Sequence, residues 1–310
     1  MNLFEYTYNL VRQIPSGKIS SYGAVAKALG DIRASRAVGR MMNQNPDADD
    51  MPCFKIVHSD GKLGGFGLGL DDKIRRLQND GISVQDGVIN QFDSVFYDSF
   101  DTDYPLQRLH QKQIDLASQI ITDDAFQSIE TVAGFDIAYP KNEFEPVCGA
   151  GVVLDYQTHE ILEEKTVFAT VDFPYIPTYL FYREFPVIRQ VYHELSCKPS
   201  ISMIDGNGIL HPAKTGIASQ IGIALDSPTI GVAKSLLTGT VQEGSVYIDN
   251  DLRGRTYHAT PQVKNPIYIS SGHKICLETA TNIVKTMCTH RIPEPLRQAH
   301  RLATTTLRER

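Results

Sequence analysis

Near the start of the chain, apolar residues recur at helical spacing over 5–13, 21–29 and 34–43, the second stretch following the turn signal Pro15-Ser16-Gly17. Farther on the texture changes. Runs rich in β-branched and small apolar residues cover 131–138, 149–154, 200–204 and 229–232, with segments of helical character such as 275–285 between and after them. The first pattern predicts a small helical domain, the second an α/β layout. Between them lies GISVQDGVINQFDSVFYDSFDTD, 81–103, polar and glycine-containing, which reads as a linker. The expected division is a domain over 1–90, a linker over 91–104 and a domain over 105–310. There is no internal repeat and no low-complexity tract.

A length of 310 residues gives room for two domains, each with its own core. A hydrophobic content of 42% with 21% charged residues suits a globular protein and excludes a disordered one. No apolar run approaches the ~20 residues of a membrane span. MNLFEYTYNL lacks the basic start, apolar run and cleavage site of a secretory signal, so a cytoplasmic protein without a membrane partner is expected. Cys53, Cys148, Cys197, Cys276 and Cys288 form no C-x-x-C pair, and reduced thiols are expected. A net charge of −6 argues against a protein that coats nucleic acid, because phosphate binding draws on Lys and Arg. Any DNA contact must be local. Between 21 and 45, Lys27, Arg33, Arg36 and Arg40 against Asp31 leave a net +3, and six basic residues against two acidic leave +4 over 285–310.

Two acidic residues stand in like settings. Asp136 lies in TVAGFDIAY, and Asp205 ends SISMID before Gly206-Asn207-Gly208. A metal-assisted phosphodiesterase needs carboxylates converging on a divalent ion. A single Asp at a strand end more often caps a turn, but the identical setting makes the pair worth more than either.

GFDIAY, FPYIPTYLFYREFP, DGNGILHPAKTGIAS, IGVAKS, ISSGHKI and RIPEPLRQAH occur in the order in which they stand in endonuclease V, and 106–301 resembles that family. The resemblance implies a ribonuclease H-like fold, a mixed sheet flanked by helices. It implies that Asp136, Glu184 and Asp205 hold Mg²⁺, with Mn²⁺ as an alternative, and are catalytic. It matches His273 to an active-site histidine, although the local sequence fits a helix cap equally well. Pro174, Tyr175, Ile176 and Pro177 become a stiff wedge, with Tyr175 separating the strands. Gly206 and Gly208 would let backbone amides approach a rotated base. His211, Lys214 and Lys234 become phosphate contacts, while Gln220 stands where many relatives carry histidine.

Residues 4–81 resemble the DNA-binding domain of O6-alkylguanine-DNA alkyltransferases, on IPSGKISSYGAVAKALG, SRAVGRMMNQNP, MPCFKIVHSDGKLGGFGLGL and DDKIRRLQNDG. The stretches 21–29 and 34–43 fit a winged helix-turn-helix-like domain, and Ala34, Ser35, Ala37 and Gly39 would allow close approach to the minor groove. The resemblance implies that Arg36 fills the gap left by a flipped guanine, that Tyr22 and Asn45 serve DNA binding, and that Cys53 is the alkyl acceptor. The family's histidine after the cysteine is replaced by Phe54, Asp80 stands near the expected glutamate, and Phe66 replaces a frequent tyrosine. Lys55 or His58 would supply positive potential to the thiol. The chain is thus expected to act on double-stranded DNA with deaminated or O6-alkylated bases. It would nick 3′ to deoxyinosine and transfer alkyl groups irreversibly to Cys53. The alternative is an endonuclease V with a non-catalytic alkylguanine-reading domain.

Overall fold

A computed structural model describes residues 1–45, 47–141, 145–259 and 264–310. The chain divides into two compact units, Met1–Gln111 with Asp172–Pro177, and Lys112–Val171 with Thr178–Arg310. In the first, α1 (Leu3–Arg12) starts where the Asn2 side chain accepts the Glu5 N–H at 3.0 Å, and it buries Leu3, Leu10 and Val11. β1 (Ser20–Ser21) leads into α2 (Tyr22–Leu29), capped by Ser21 and ended by Gly30 at φ +99°, a left-handed turn suited to glycine. α3 (Ser35–Asn43) follows after a tight turn. β2 (Ile56–Val57) pairs in parallel with β1, and α4 (Leu70–Asn79) and the hairpin β3 (Val84–Gln85) and β4 (Val88–Ile89) complete the module. Ala34 and Ala37 are buried in its core, so of the small residues expected to face DNA only Ser35 and Gly39 are partly exposed.

The expected linker is structured. After α5 (Phe92–Val95) the Tyr97 N–H donates to Ile19 O at 2.8 Å, and Asp101 and Gln13 exchange hydrogen bonds of 2.8 and 3.0 Å. Thr102 Oγ1 donates to Ala28 O at 2.5 Å. The polar composition that suggested a tether belongs to a segment whose backbone groups find partners in this unit, which runs to Gln111, within α6 (Pro105–Leu116).

The second unit holds β5 (Thr131–Ala138), β6 (Val147–Asp155), β7 (Ile161–Ala169), α7 (Leu180–Glu194), β8 (Ile201–Asp205), α8 (Ile217–Leu225) and β9 (Thr229–Ala233). β10 (Thr240–Gln242), β11 (Ser245–Ile248), β12 (Asp251–Tyr257), β13 (Ile267–His273), α9 (Leu277–Thr286) and α10 (Glu294–Arg308) follow. Among the described residues the nine strands form one mixed sheet, ordered β10-β11-β12-β13-β9-β8-β5-β6-β7. β5, β8 and β9 are parallel neighbours and the other pairings are antiparallel. Both faces of the centre are covered, which explains unbroken apolar runs instead of alternation. Ala133, Phe135 and Ile137 pack with Val187, Val191 and Ile217 on one face, while Val132 and Met203 pack with Ile283, Leu296 and Ala299 on the other. Each of the Val, Ile, Leu, Phe and Met side chains among these contributes about 1.5–3 kcal/mol on burial. No described helix is long and apolar enough to cross a membrane, and all five cysteines are free.

Candidate functional site

Because β5, β8 and β9 are parallel, their carboxyl ends lie at one edge of the sheet. The register pairs Phe135 with Ile204 and Asp205 with Val232, so one step beyond Phe135 sets Asp136 beside Asp205. Such neighbours point to the same face, here the face covered by α10. Lys234, two residues past Val232, shares that face and donates to Asp205 Oδ2. From α10, His300 Nδ1 lies 2.6 Å from Asp136 Oδ2. The helix comes this close because Gly134 has no side chain: a Cβ there would stand 2.2 Å from the Pro295 carbonyl carbon.

Glu184 reaches this edge from α7. Tyr139, just past β5, donates to Glu184 Oε1 at 3.1 Å, and the Arg183 guanidinium lies over the Tyr139 ring at 4.4 Å. Burial, with the charges of Asp205 and Asp136 added, pushes the Glu184 carboxyl up to about 8 despite Tyr139 and Arg183. Burial and then the charge of Asp205 likewise raise Asp136, against the pull of His300 and Lys234. For Lys234 burial opposes the charge, but Asp205 and Asp136 outweigh it and raise its pKa. Burial leads at both Asp136 and Glu184, and the charges of neighbouring carboxylates add to it.

The structure does not bring His273 there. It pairs with Thr229, at the start of β9, whereas Asp205 pairs with Val232 near its end. Three residues of strand separate those levels, about 10 Å. His273 is buried, its Nδ1 accepts the Ile121 N–H at 3.3 Å, and burial followed by the charge of Lys274 lowers its pKa. The histidine at the carboxylates is His300, on which the stretch RIPEPLRQAH ends. Its signal was the helical stripe Leu296, Ala299 and Ala303, which places His300 at the margin of a buried face.

The two glycines after Asp205 also differ from expectation. The Gly206 N–H donates to Val232 O at 3.1 Å and the Gly208 N–H to Ser270 Oγ at 2.8 Å, so both amides are engaged inside the unit. A Cβ on Gly208 would stand 1.9 Å from Ser271 O, and this close approach is what requires glycine. His211 is buried with Nδ1 accepting the Ala213 N–H at 3.2 Å, and Lys214 pairs with Asp251 at 2.7 Å. Gln220 is buried and donates to Thr215 O at 3.0 Å.

In the first unit Cys53 is buried at an open pocket of about 420 Å³ that Asn45 and Phe66 also line. Asn45 Nδ2 donates to the thiol sulfur at 3.3 Å. Phe54, where a relay histidine would stand, packs against the cluster of Ile19, Val57 and Leu77. Lys55 pairs with Asp80 at 2.9 Å and donates to Pro15 O at 2.8 Å, and His58 lies against Tyr22 with ring centroids 5.3 Å apart. Burial raises the Cys53 pKa, opposed by the Asn45 hydrogen bond and the charges of Lys73 and Arg76. Lys73 is fully buried, donates to Ile56 O at 2.6 Å and Gly64 O at 3.1 Å, and is lowered to about 8 by burial. Arg36 is exposed on α3, and the Tyr22 ring packs beside Gly39 and Gly64.

The family model for endonuclease V matches residues 114–301, and that for the DNA-binding domain of 6-O-methylguanine DNA methyltransferase matches residues 2–82. The chain belongs to the endonuclease V family. Its whole length is similar to the bifunctional methyltransferase/endonuclease of Picrophilus torridus, 38% identical over 97% of this chain and 95% of that protein. The Thermoplasma volcanium protein of the same name is 35% identical over 97% of this chain and 89% of its own. A solved complex of Ciona intestinalis endonuclease V with a 24mer DNA containing an inosine followed by a ribo-adenosine is 29% identical, with TM-score 0.62. It covers 67% of this chain and 99% of that one.

Endonuclease V chemistry is metal-dependent, and Asp136, Asp205 and Glu184 offer the oxygen donors a hard cation takes, although among the described residues no three acidic, His or Cys side chains stand together closely enough to hold an ion as they are now placed. The carboxylate oxygens are held meanwhile by Lys234, His300 and Tyr139. In this endonuclease V the segment of Pro174, Tyr175, Ile176 and Pro177 is grouped with the first unit, where Asp172 O accepts the Leu3 N–H at 2.9 Å. Pro174 and Ile176 are buried while Tyr175 between them is 49% exposed, an aromatic ring held out from an anchored backbone.

Proposed function

We propose that the second unit hydrolyses a phosphodiester 3′ to a deaminated base in DNA, with Asp136, Asp205 and Glu184 holding Mg²⁺. The observation that carries this is the register that sets Asp136 beside Asp205 on adjacent parallel strands, with half-buried Glu184 near enough for both charges to raise its pKa. The bound ion would activate water and neutralise charge on the leaving oxygen. His300, oriented by Asp136 and with its side chain 63% exposed, is placed to hold or pass a proton at the reacting phosphate. Lys234 supplies positive charge next to the acids and would turn to the phosphate when a cation replaces it on Asp205. Tyr175 enters the duplex as the strand-separating wedge.

Nicking of an inosine-containing duplex tests the assignment. His300→Ala should slow it about a hundredfold or more, the usual range for a general acid or base. His273→Ala, if folded, should stay within about tenfold of the parent. A large loss only in the His273 variant would overturn the assignment.

For the first unit we propose alkylguanine recognition through Tyr22, Arg36 and Asn45, with Cys53 as acceptor. The thiolate attacks the alkyl carbon, the carbon–O6 bond breaks, and guanine departs with the electron pair and gains a proton. The second reading, a lesion reader without chemistry, is favoured by two observations: burial raises the Cys53 thiol, and Phe54 packs into the core where a relay histidine would stand. Stoichiometric transfer of labelled methyl from O6-methylguanine DNA, with Cys53→Ala as control, separates the two. If transfer occurs, its rate should climb with pH because the thiolate is the nucleophile. The climb should flatten above about pH 8, where Lys73 loses the charge that favours the thiolate. Selective binding without transfer establishes the reader.

A further inference from the structure

We propose that the first unit carries a second nucleic-acid site, a cleft that takes one unpaired nucleotide of a single DNA strand. The cleft, about 690 Å³ and open, is distinct from the Cys53 pocket. Its lining includes Tyr22 and His58, whose tilted rings lie with centroids 5.3 Å apart, and Phe100 and Tyr104 of the segment pinned along Ile19, Gln13 and Ala28. That segment lies beyond the residues matched to the methyltransferase DNA-binding domain, 2–82, so the cleft is an addition to the module.

Tyr104 is the telling residue. It sits at φ +51°, a left-handed conformation unfavourable for a bulky side chain, and the residue is 48% exposed. The backbone is forced: its N–H donates to Thr102 Oγ1 at 3.1 Å, and its carbonyl accepts from Gln107 at 3.0 Å at the start of α6. A strained, locked backbone that presents an uncovered aromatic ring to a cleft contributes little to the core. A cleft lined by several aromatic side chains suits a nucleobase, because every base offers a π-face whatever its sequence.

The charges set the orientation. Lys27, exposed at the cleft and in no ion pair among the described residues, would meet a phosphate, and Asp98 would accept hydrogen bonds from amino or imino groups on the base edge. A nucleoside triphosphate fits poorly, since one lysine would face all its phosphates with Asp98 nearby. A strand fits better, because its backbone can continue past Ser35, on the cleft wall, towards the exposed Arg40 of α3.

The test titrates the full chain with a short single-stranded oligonucleotide containing 2-aminopurine, whose fluorescence is quenched on stacking. Tyr104→Leu and Phe100→Leu should each weaken binding about tenfold and lessen the quench. Both should leave thermal unfolding and nicking of a fully paired inosine duplex unchanged. Lys27→Gln should lower the slope of log affinity against log salt by about 0.7, one phosphate contact on a single strand. Parental affinity and quench in both leucine variants would sink the proposal, as would deoxyguanosine monophosphate binding as tightly as the oligonucleotide. Loss of duplex nicking in the parent protein would overturn the nuclease assignment and leave this site standing.

Discussion

Asp136→Asn is expected to lower nicking of an inosine duplex roughly a thousandfold or more while leaving methyl transfer or alkylguanine binding as in the parent. The substitution keeps the shape of the side chain and removes its charge, so two things fail together: the oxygen donor set loses a carboxylate, and His300 loses the anion that orients it. Stability should move the other way. The Asp136 carboxyl is raised by burial and by Asp205, so its ionised form weakens the folded state at any pH above the ordinary carboxylate range. A neutral amide removes that repulsion, and melting at neutral pH should be unchanged or higher. Inactivity with an equal or higher melting temperature marks a residue kept for chemistry. Nicking within about tenfold of the parent would remove Asp136 from the reaction.

The carboxylate pair was open to reading because strand periodicity and topology are local and regular. Asp136 lies in one apolar run and Asp205 ends another, and parallel pairing of those runs suffices to bring them together. His300 was harder. It meets Asp136 across 164 residues, through the seating of α10 on β5, and nothing in the helix states which strand it covers. His273, in a motif of the right family, drew the assignment although its strand runs antiparallel to β9 and carries it to the other end.

The first unit teaches a similar lesson. Lys55 follows Cys53 closely in sequence, yet it turns to Asp80 and Pro15, and the buried cation that bears on the thiol is Lys73, one helix away. The stretch 91–104 looked like a tether because Asp, Ser and Gln say nothing about partners. Its order comes from backbone pairing with Ile19 and side-chain bonds to Gln13 and Ala28. Composition predicts solvation, while pairing depends on what the fold sets alongside.

Gly134→Ala should damage the fold and the nuclease site together. The added Cβ would lie 2.2 Å from the Pro295 carbonyl carbon, 2.3 Å from its oxygen and 2.5 Å from the Leu296 nitrogen. These are backbone atoms, so no rotamer change relieves the clash, and α10 must back away by about 1 Å to reach ordinary contact. That movement loosens Leu296 and Ala299 from the shared core, and a destabilisation of about 3 kcal/mol is expected. The same movement carries His300 off Asp136, and a misplacement of this size lowers the rate about a hundredfold. Melting and nicking should therefore fall together in Gly134→Ala, whereas His300→Ala should lose nicking with little change in melting. Parental melting and nicking in the glycine variant would mean that α10 is not seated on β5 as described, and the link between Asp136 and His300 would fall with it.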